Sequence, residues 1–175
     1  GGSVVLTAQA AGDLLKTVVN NTGVIEAHTI DTRGGTIKLL GDMQSGTVNA
    51  GGTLDASAPD GGKGGFIDTS AAHVKIDDAL KVTTAAPKGL AGTWLIDPTD
   101  FNIAVSGGDM TGAFLSNSLK SGNVQIQSVS GGSGTQGNIN VNDNINWIAN
   151  KLTLTAQNNI NINKAMRGAG TASLA

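Results

Sequence analysis

The 175 residues include 26 glycines, but aromatic residues make up only 3% and charged residues 14%, against about 25% charged in an average soluble domain. A formal charge of −2 and a pI near 5.5 give no field that would draw in nucleic acid or an anionic membrane. Without cysteine there is no disulfide, thiolate metal site or thiol nucleophile, and no run of about 18 apolar residues exists to form a transmembrane helix.

The opening Gly1-Gly2-Ser3-Val4-Val5 has no signal-peptide design. The chain reads as a single segment, 1–175, of a longer protein. In 8–19, Leu14, Leu15, Val18 and Val19 fall at helical spacing behind Gly12-Asp13, which predicts a short helical excursion, with Val18-Val19 also able to open a strand. From there the dominant pattern is period-2 alternation, with Val, Ile or Leu at every second position. It covers 36–39, 47–49, 52–56, 66–69, 73–77 and 80–83. A second helical excursion is expected at 111–120, where Phe114, Leu115 and Leu119 are apolar, Thr111 is an N-cap candidate and Gly122 a stop. Alternation resumes at 123–127, 138–142, 144–147, 151–155 and 159–163. Each strand presents one apolar face and one of Thr, Asn, Lys or Asp.

Tight hairpin signals are nearly missing, Asp60-Gly61 being the one instance. Gly-Gly pairs at 34–35, 51–52, 61–62, 64–65, 107–108 and 131–132 punctuate the strands instead. Gly51-Gly52-Thr53-Leu54-Asp55 recurs as Gly64-Gly65-Phe66-Ile67-Asp68 at an offset of 13, and Ile139-Asn140-Val141 recurs likewise as Leu152-Thr153-Leu154. One strand and turn per step, two or three steps per coil, predicts an all-β chain folded as a right-handed parallel β-helix (β-solenoid). Apolar ladders would fill its interior, Asn and Thr ladders its surface, and glycine its corners. Coils of roughly 20 residues would number about 8 and rise on the order of 40 Å. The rival, a β-sandwich, would want longer strands and clearer hairpins.

Because β-helices include polysaccharide-cleaving enzymes, the carboxylates need weighing. Asp97 and Asp100, in Trp94-Leu95-Ile96-Asp97-Pro98-Thr99-Asp100, are the best pair for inverting hydrolysis, yet Asp-Pro-Thr-Asp reads first as a turn whose carboxylates cap nearby amides. Of the adjacent Asp77 and Asp78, one is expected to be simply solvated. His28 and His73 lack catalytic neighbours and read as surface residues. Gly61-Gly62-Lys63-Gly64-Gly65 imitates a calcium-binding roll, but Phe66 stands where the ligand aspartate belongs, and the Gly-Lys-Ser/Thr ending of a phosphate loop is missing. Trp94 and Trp147 are expected in the core rather than as sugar-stacking platforms. Thr153-Leu154-Thr155 is too short for an ice-binding ladder. No catalytic, cofactor-binding or metal-binding residue is assigned, and no enzyme activity is expected.

The runs Val18-Val19-Asn20-Asn21-Thr22-Gly23-Val24-Ile25-Glu26-Ala27, Gly51–Pro59, Gly64–Ala71 and Gly92-Thr93-Trp94-Leu95-Ile96-Asp97-Pro98-Thr99-Asp100-Phe101-Asn102-Ile103 resemble the filamentous-haemagglutinin-type exoproteins of Gram-negative two-partner secretion, over nearly the whole chain. The resemblance implies a secreted or surface-displayed adhesin, exported through an outer-membrane transporter and meeting a receptor or glycan on host cells or other bacteria, with a role in virulence. The Asn-Pro-Asn-type motifs of the family's secretion domain are missing, which places this segment in the shaft just downstream. A structural shaft is the expected function; a glycan-binding module within the shaft is the alternative, and a polysaccharide-cleaving enzyme the least favoured.

Overall fold

The computed structural model describes residues 1–9, 18–129 and 134–175. Strands arrive in triplets. The first three are β1 (Ser3–Thr7), β2 (Val18–Asn21) and β3 (Val24–Glu26), followed by β4 (Thr36–Leu40), β5 (Thr47–Ala50) and β6 (Thr53–Asp55). Next come β7 (Phe66–Ser70), β8 (His73–Ile76) and β9 (Lys81–Thr83), then β10 (Thr93–Asp97), β11 (Phe101–Ile103) and a helix, α1 (Gly112–Ser118). The chain continues with β12 (Asn123–Ser128), β13 (Ile139–Val141) and β14 (Ile145–Trp147), then β15 (Lys151–Ala156), β16 (Ile160–Ile162), β17 (Met166–Gly168) and β18 (Ser173–Leu174).

Within a triplet no strand pairs with the next. The first members pair across triplets as a seven-stranded sheet, β1-β4-β7-β10-β12-β15-β18; the other sheets are β2-β5-β8, β3-β6-β9, β11-β13-β16 and β14-β17. Every pairing of these strands is parallel. Among the described residues the fold is therefore all-β with parallel sheets and one short helix, and an antiparallel sandwich does not describe it. Among the described residues no helix is long and apolar enough to cross a membrane.

The period-2 alternation works as the sequence suggests. Val4, Ile37, Ile67, Trp94, Val124, Leu152 and Leu174 stand in one register column, and Leu6, Leu39, Thr69, Ile96, Ile126 and Leu154 in the next. Between the end strands both columns are buried, and with Val48, Val74, Leu54, Ile103 and Val141 their apolar members there belong to one continuous core. Burying a side chain of this size contributes about 1.5–3 kcal/mol, so the columns stabilise the stack level by level.

The expected coil length is corrected here. Thr36 faces Phe66 and Phe66 faces Thr93, steps of 30 and 27 residues; only near the end, where Asn161 bonds Asn140 21 residues back, does the step approach 20. Seven stacked strands span about 30 Å at the usual spacing. The corner glycines serve in two ways: Gly52, Gly61, Gly62 and Gly107 take positive φ as expected, whereas Gly65 and Gly92 are needed for close approach. A Cβ on Gly65 would lie 2.2 Å from the Gly35 carbonyl oxygen, and one on Gly92 2.0 Å from that of Gly65, so each corner admits only a hydrogen there.

The excursion at 111–120 is a helix as expected. Thr111 caps it, its Oγ1 accepting the Phe114 N–H at 3.2 Å. Phe114, Leu115 and Leu119 are buried, and the helix fills the third place of its triplet. On one side the Thr84 N–H donates to the Ser121 carbonyl; on the other, Ser116 Oγ accepts the Asn146 N–H of β14. Just before it, Asp109 and Met110 fit between β8 and β11: the Ile76 N–H donates to the Asp109 carbonyl, and the Ala104 N–H to that of Met110. The expected helix at 8–19 falls largely outside the described residues, as does the Gly-Gly pair at 131–132, and Val18-Val19 open β2.

Candidate functional site

Of the two carboxylates that the sequence singles out, the long sheet carries Asp97, while Asp100 lies in the turn before β11. Asp97 is the last residue of β10, and the register sets it opposite Ser70 of β7. Asp68, two residues before Ser70, accepts a hydrogen bond from the Ser70 hydroxyl and is 9% exposed. Asp97 Oδ1 is buried and accepts no hydrogen bond. Burial, with repulsion from Asp68 second, pushes the Asp97 carboxyl up to about 6: removal from water disfavours the charged form, and a neighbouring negative charge disfavours it further.

Asp100 has a different environment. Its carboxylate accepts the backbone N–H groups of Gln136 at 3.1 Å and Asn138 at 2.8 Å, so it caps a loop leading into β13. The turn expectation therefore holds for Asp100 and not for Asp97. The pair proposed for hydrolysis is not the pair that interacts: the interacting pair is Asp68 and Asp97. No sequence pattern pointed to Asp68, which sits in the Gly-Gly-Phe-Ile-Asp corner unit; only the parallel register sets β7 beside β10.

Both tryptophans are buried, at 2% and 5% exposure, so neither offers a ring for stacking a sugar. Trp94 meets Phe114 edge to face, with centroids 6.3 Å apart at 82°. Trp147 stacks over Gly168, where a Cβ would come within 3.3 Å of the indole. His28 Nε2 lies 3.2 Å from Asp55 Oδ2, and His73 is exposed on β8. Neither Asp77 nor Asp78 is merely solvated: Asp77 accepts the Ala79 N–H and Asp78 the Thr111 hydroxyl, each at 2.8 Å. Gly61 and Gly62 turn at φ 135° and 87°, and the Lys63 carbonyl that follows accepts the Thr29 hydroxyl. Thr153 and Thr155 face Gln125 and Gln127, so the outer column is mixed rather than a threonine ladder.

The amide-rich face of β11, β13 and β16 is regular. Asn142 donates to Asn102 and accepts from Asn163, both at 2.8 Å, and Asn161 donates to Asn140 at 2.8 Å. Parallel stacking brings like side chains together and turns them into hydrogen-bonded ladders. Shallow clefts flank the sheets, one of about 250 Å³ between Asn20, Asn49, Lys75 and Asp77 and another of about 340 Å³ between Asp78, Thr111 and Asp143. Among the described residues no three His, Cys, Asp or Glu side chains converge as metal ligands would. No family model, curated protein or solved structure matches this chain.

Proposed function

We propose that the chain is a β-helical shaft segment of a large secreted or surface-displayed bacterial adhesin, with its triplets winding right-handedly as successive coils. The observation that supports this reading is the unbroken parallel register of seven strands, in which each triplet rests on the one before. Such a stack lengthens by adding triplets and needs no ligand to hold it, which suits a rod that carries adhesive regions away from a cell surface. Full-length partners on this reading are an outer-membrane two-partner transporter and a receptor or glycan on the target cell. The test is saturable binding of the purified chain to epithelial cells and to a glycan array. A shaft gives none.

A glycan-binding module is the second reading, favoured by the Asn102, Asn142 and Asn163 ladder, which displays amide groups at the repeat of the sheet. Array binding that is lost on Asn142→Ala would replace the first reading with this one.

A further inference from the structure

The Asp97-Pro98 bond joins β10 to the turn before β11, and three features converge on it. Asp97 Oδ1 is buried without a hydrogen-bond donor, so no hydrogen bond ties that oxygen down. The Asp97 carbonyl oxygen accepts the Ala71 N–H at 3.2 Å, which polarises the carbon and would stabilise negative charge on that oxygen. The group beyond that carbon is a proline nitrogen, a tertiary amide without hydrogen.

We propose that Asp97 is the nucleophile of a self-cleavage reaction that opens the chain between Asp97 and Pro98. A carboxyl oxygen of Asp97 attacks the carbonyl carbon of the same residue and closes a five-membered cyclic anhydride. The carbon–nitrogen bond to Pro98 breaks, and the carboxyl proton passes to the leaving proline nitrogen, which departs as a secondary amine. Water then opens the anhydride, leaving Asp97 with a free α-carboxylate and Pro98 as a new N-terminus. Nucleophile and target share one residue, so the attack needs only rotation about side-chain bonds and no second reactant except water.

The fold supplies the proton. The Asp97 carboxyl is held up to about 6 by burial first and by Asp68 second, so it keeps its proton at pH values where an ordinary aspartate has lost it. The charged groups around it are few. On β7 there is Asp68, with Lys38 of β4 opposite it in register; β12 presents the neutral Gln125 and Gln127; Asp100 is bound to its two amides, and Asp42, at the neighbouring corner, caps Gln44 and Ser45.

Cleavage would leave the stack assembled, because β10 stays paired with β7 and β12 and the Phe101 N–H stays on the Asn138 carbonyl. The product is a nicked rod.

The experiment incubates the purified protein at about pH 5.5, folded and in urea, and follows fragments by denaturing electrophoresis, intact mass and N-terminal sequencing. Folded protein should yield pieces 1–97 and 98–175, the second starting Pro98-Thr99, about thirtyfold faster than unfolded protein, the ratio of protonated Asp97 in the two states. Asp97→Ala and Pro98→Ala should abolish or strongly slow it, with circular dichroism confirming their fold. Cleavage no faster in folded than in unfolded protein, cleavage at another bond, or unchanged cleavage in Asp97→Ala overturns the proposal. The folded-versus-unfolded comparison uses the parent chain and stands even if a variant fails to fold.

Discussion

The indole N–H of Trp94 donates to the Thr69 hydroxyl at 3.1 Å inside the core. Thr69 is fully buried and is the polar member of a column otherwise formed by leucine and isoleucine; its own hydroxyl donates to the Leu95 carbonyl at 3.2 Å. A buried indole needs an acceptor for its N–H, and the strand below provides one. Thr69→Val keeps the shape but leaves the indole unpaired, at an expected cost of about 1–3 kcal/mol in urea unfolding. In a Trp94→Phe background the same change should cost clearly less. Strictly additive effects would show that the two side chains do not act as a pair.

Asp97 sets the expected pH dependence. Its carboxyl is raised in the folded chain, so the folded state holds the proton more tightly than the unfolded state does. Stability from this group is therefore full at pH below the ordinary aspartate value and is lost as pH rises towards 6. Asp97→Asn removes the titration and should gain on the parent over that window, reaching about 1 kcal/mol at neutral pH once partial contact with solvent is allowed for. Parallel stability curves for the two proteins from pH 4 to 7 would contradict this.

Gly65 tests the corner. Its added Cβ would collide with backbone, the carbonyl oxygens of Gly35 and Ala56, at 2.2 and 2.9 Å, and backbone cannot swing aside as a side chain can. Gly65→Ala should destabilise by about 3 kcal/mol or more, whereas Gly61→Ala, with open space at its Cβ but φ 135°, should lose only the smaller conformational term. Equal losses in thermal melts would contradict the close-approach account.

Local pattern and tertiary position were not equally legible in the sequence. Alternation marks β4–β9, and Thr111 with Phe114 and Leu115 marks α1, because burial of every second residue or of one helical face is written into neighbouring positions. β10 was less visible: Trp94-Leu95-Ile96-Asp97 also alternates, but Asp97-Pro98 reads as a turn and masks the strand before it. Asp68 beside Asp97 was not legible, since their proximity follows from a register offset of about one triplet, whose length varies with each loop. The 13-residue repeat of Leu54 and Ile67 likewise joins neighbouring sheets, β6 and β7, rather than stacked partners.

The stack itself makes a direct claim about length. If triplets are interchangeable coils, excising one whole repeat leaves every remaining strand a partner in register. Because Thr36 faces Phe66, deleting 36–65 brings Phe66 onto Ser3, and with it Ile67 onto Val4. Deleting 36–50 instead brings Gly51 to that place and breaks both the columns and the glycine corner. The measurement is cooperative urea unfolding of the two deletions beside the parent, followed by circular dichroism. The β-helical account expects the 30-residue deletion to give a folded, β-rich protein with a cooperative transition, and the 15-residue deletion to give none. Loss of cooperative folding in both, or its retention in both, would contradict it.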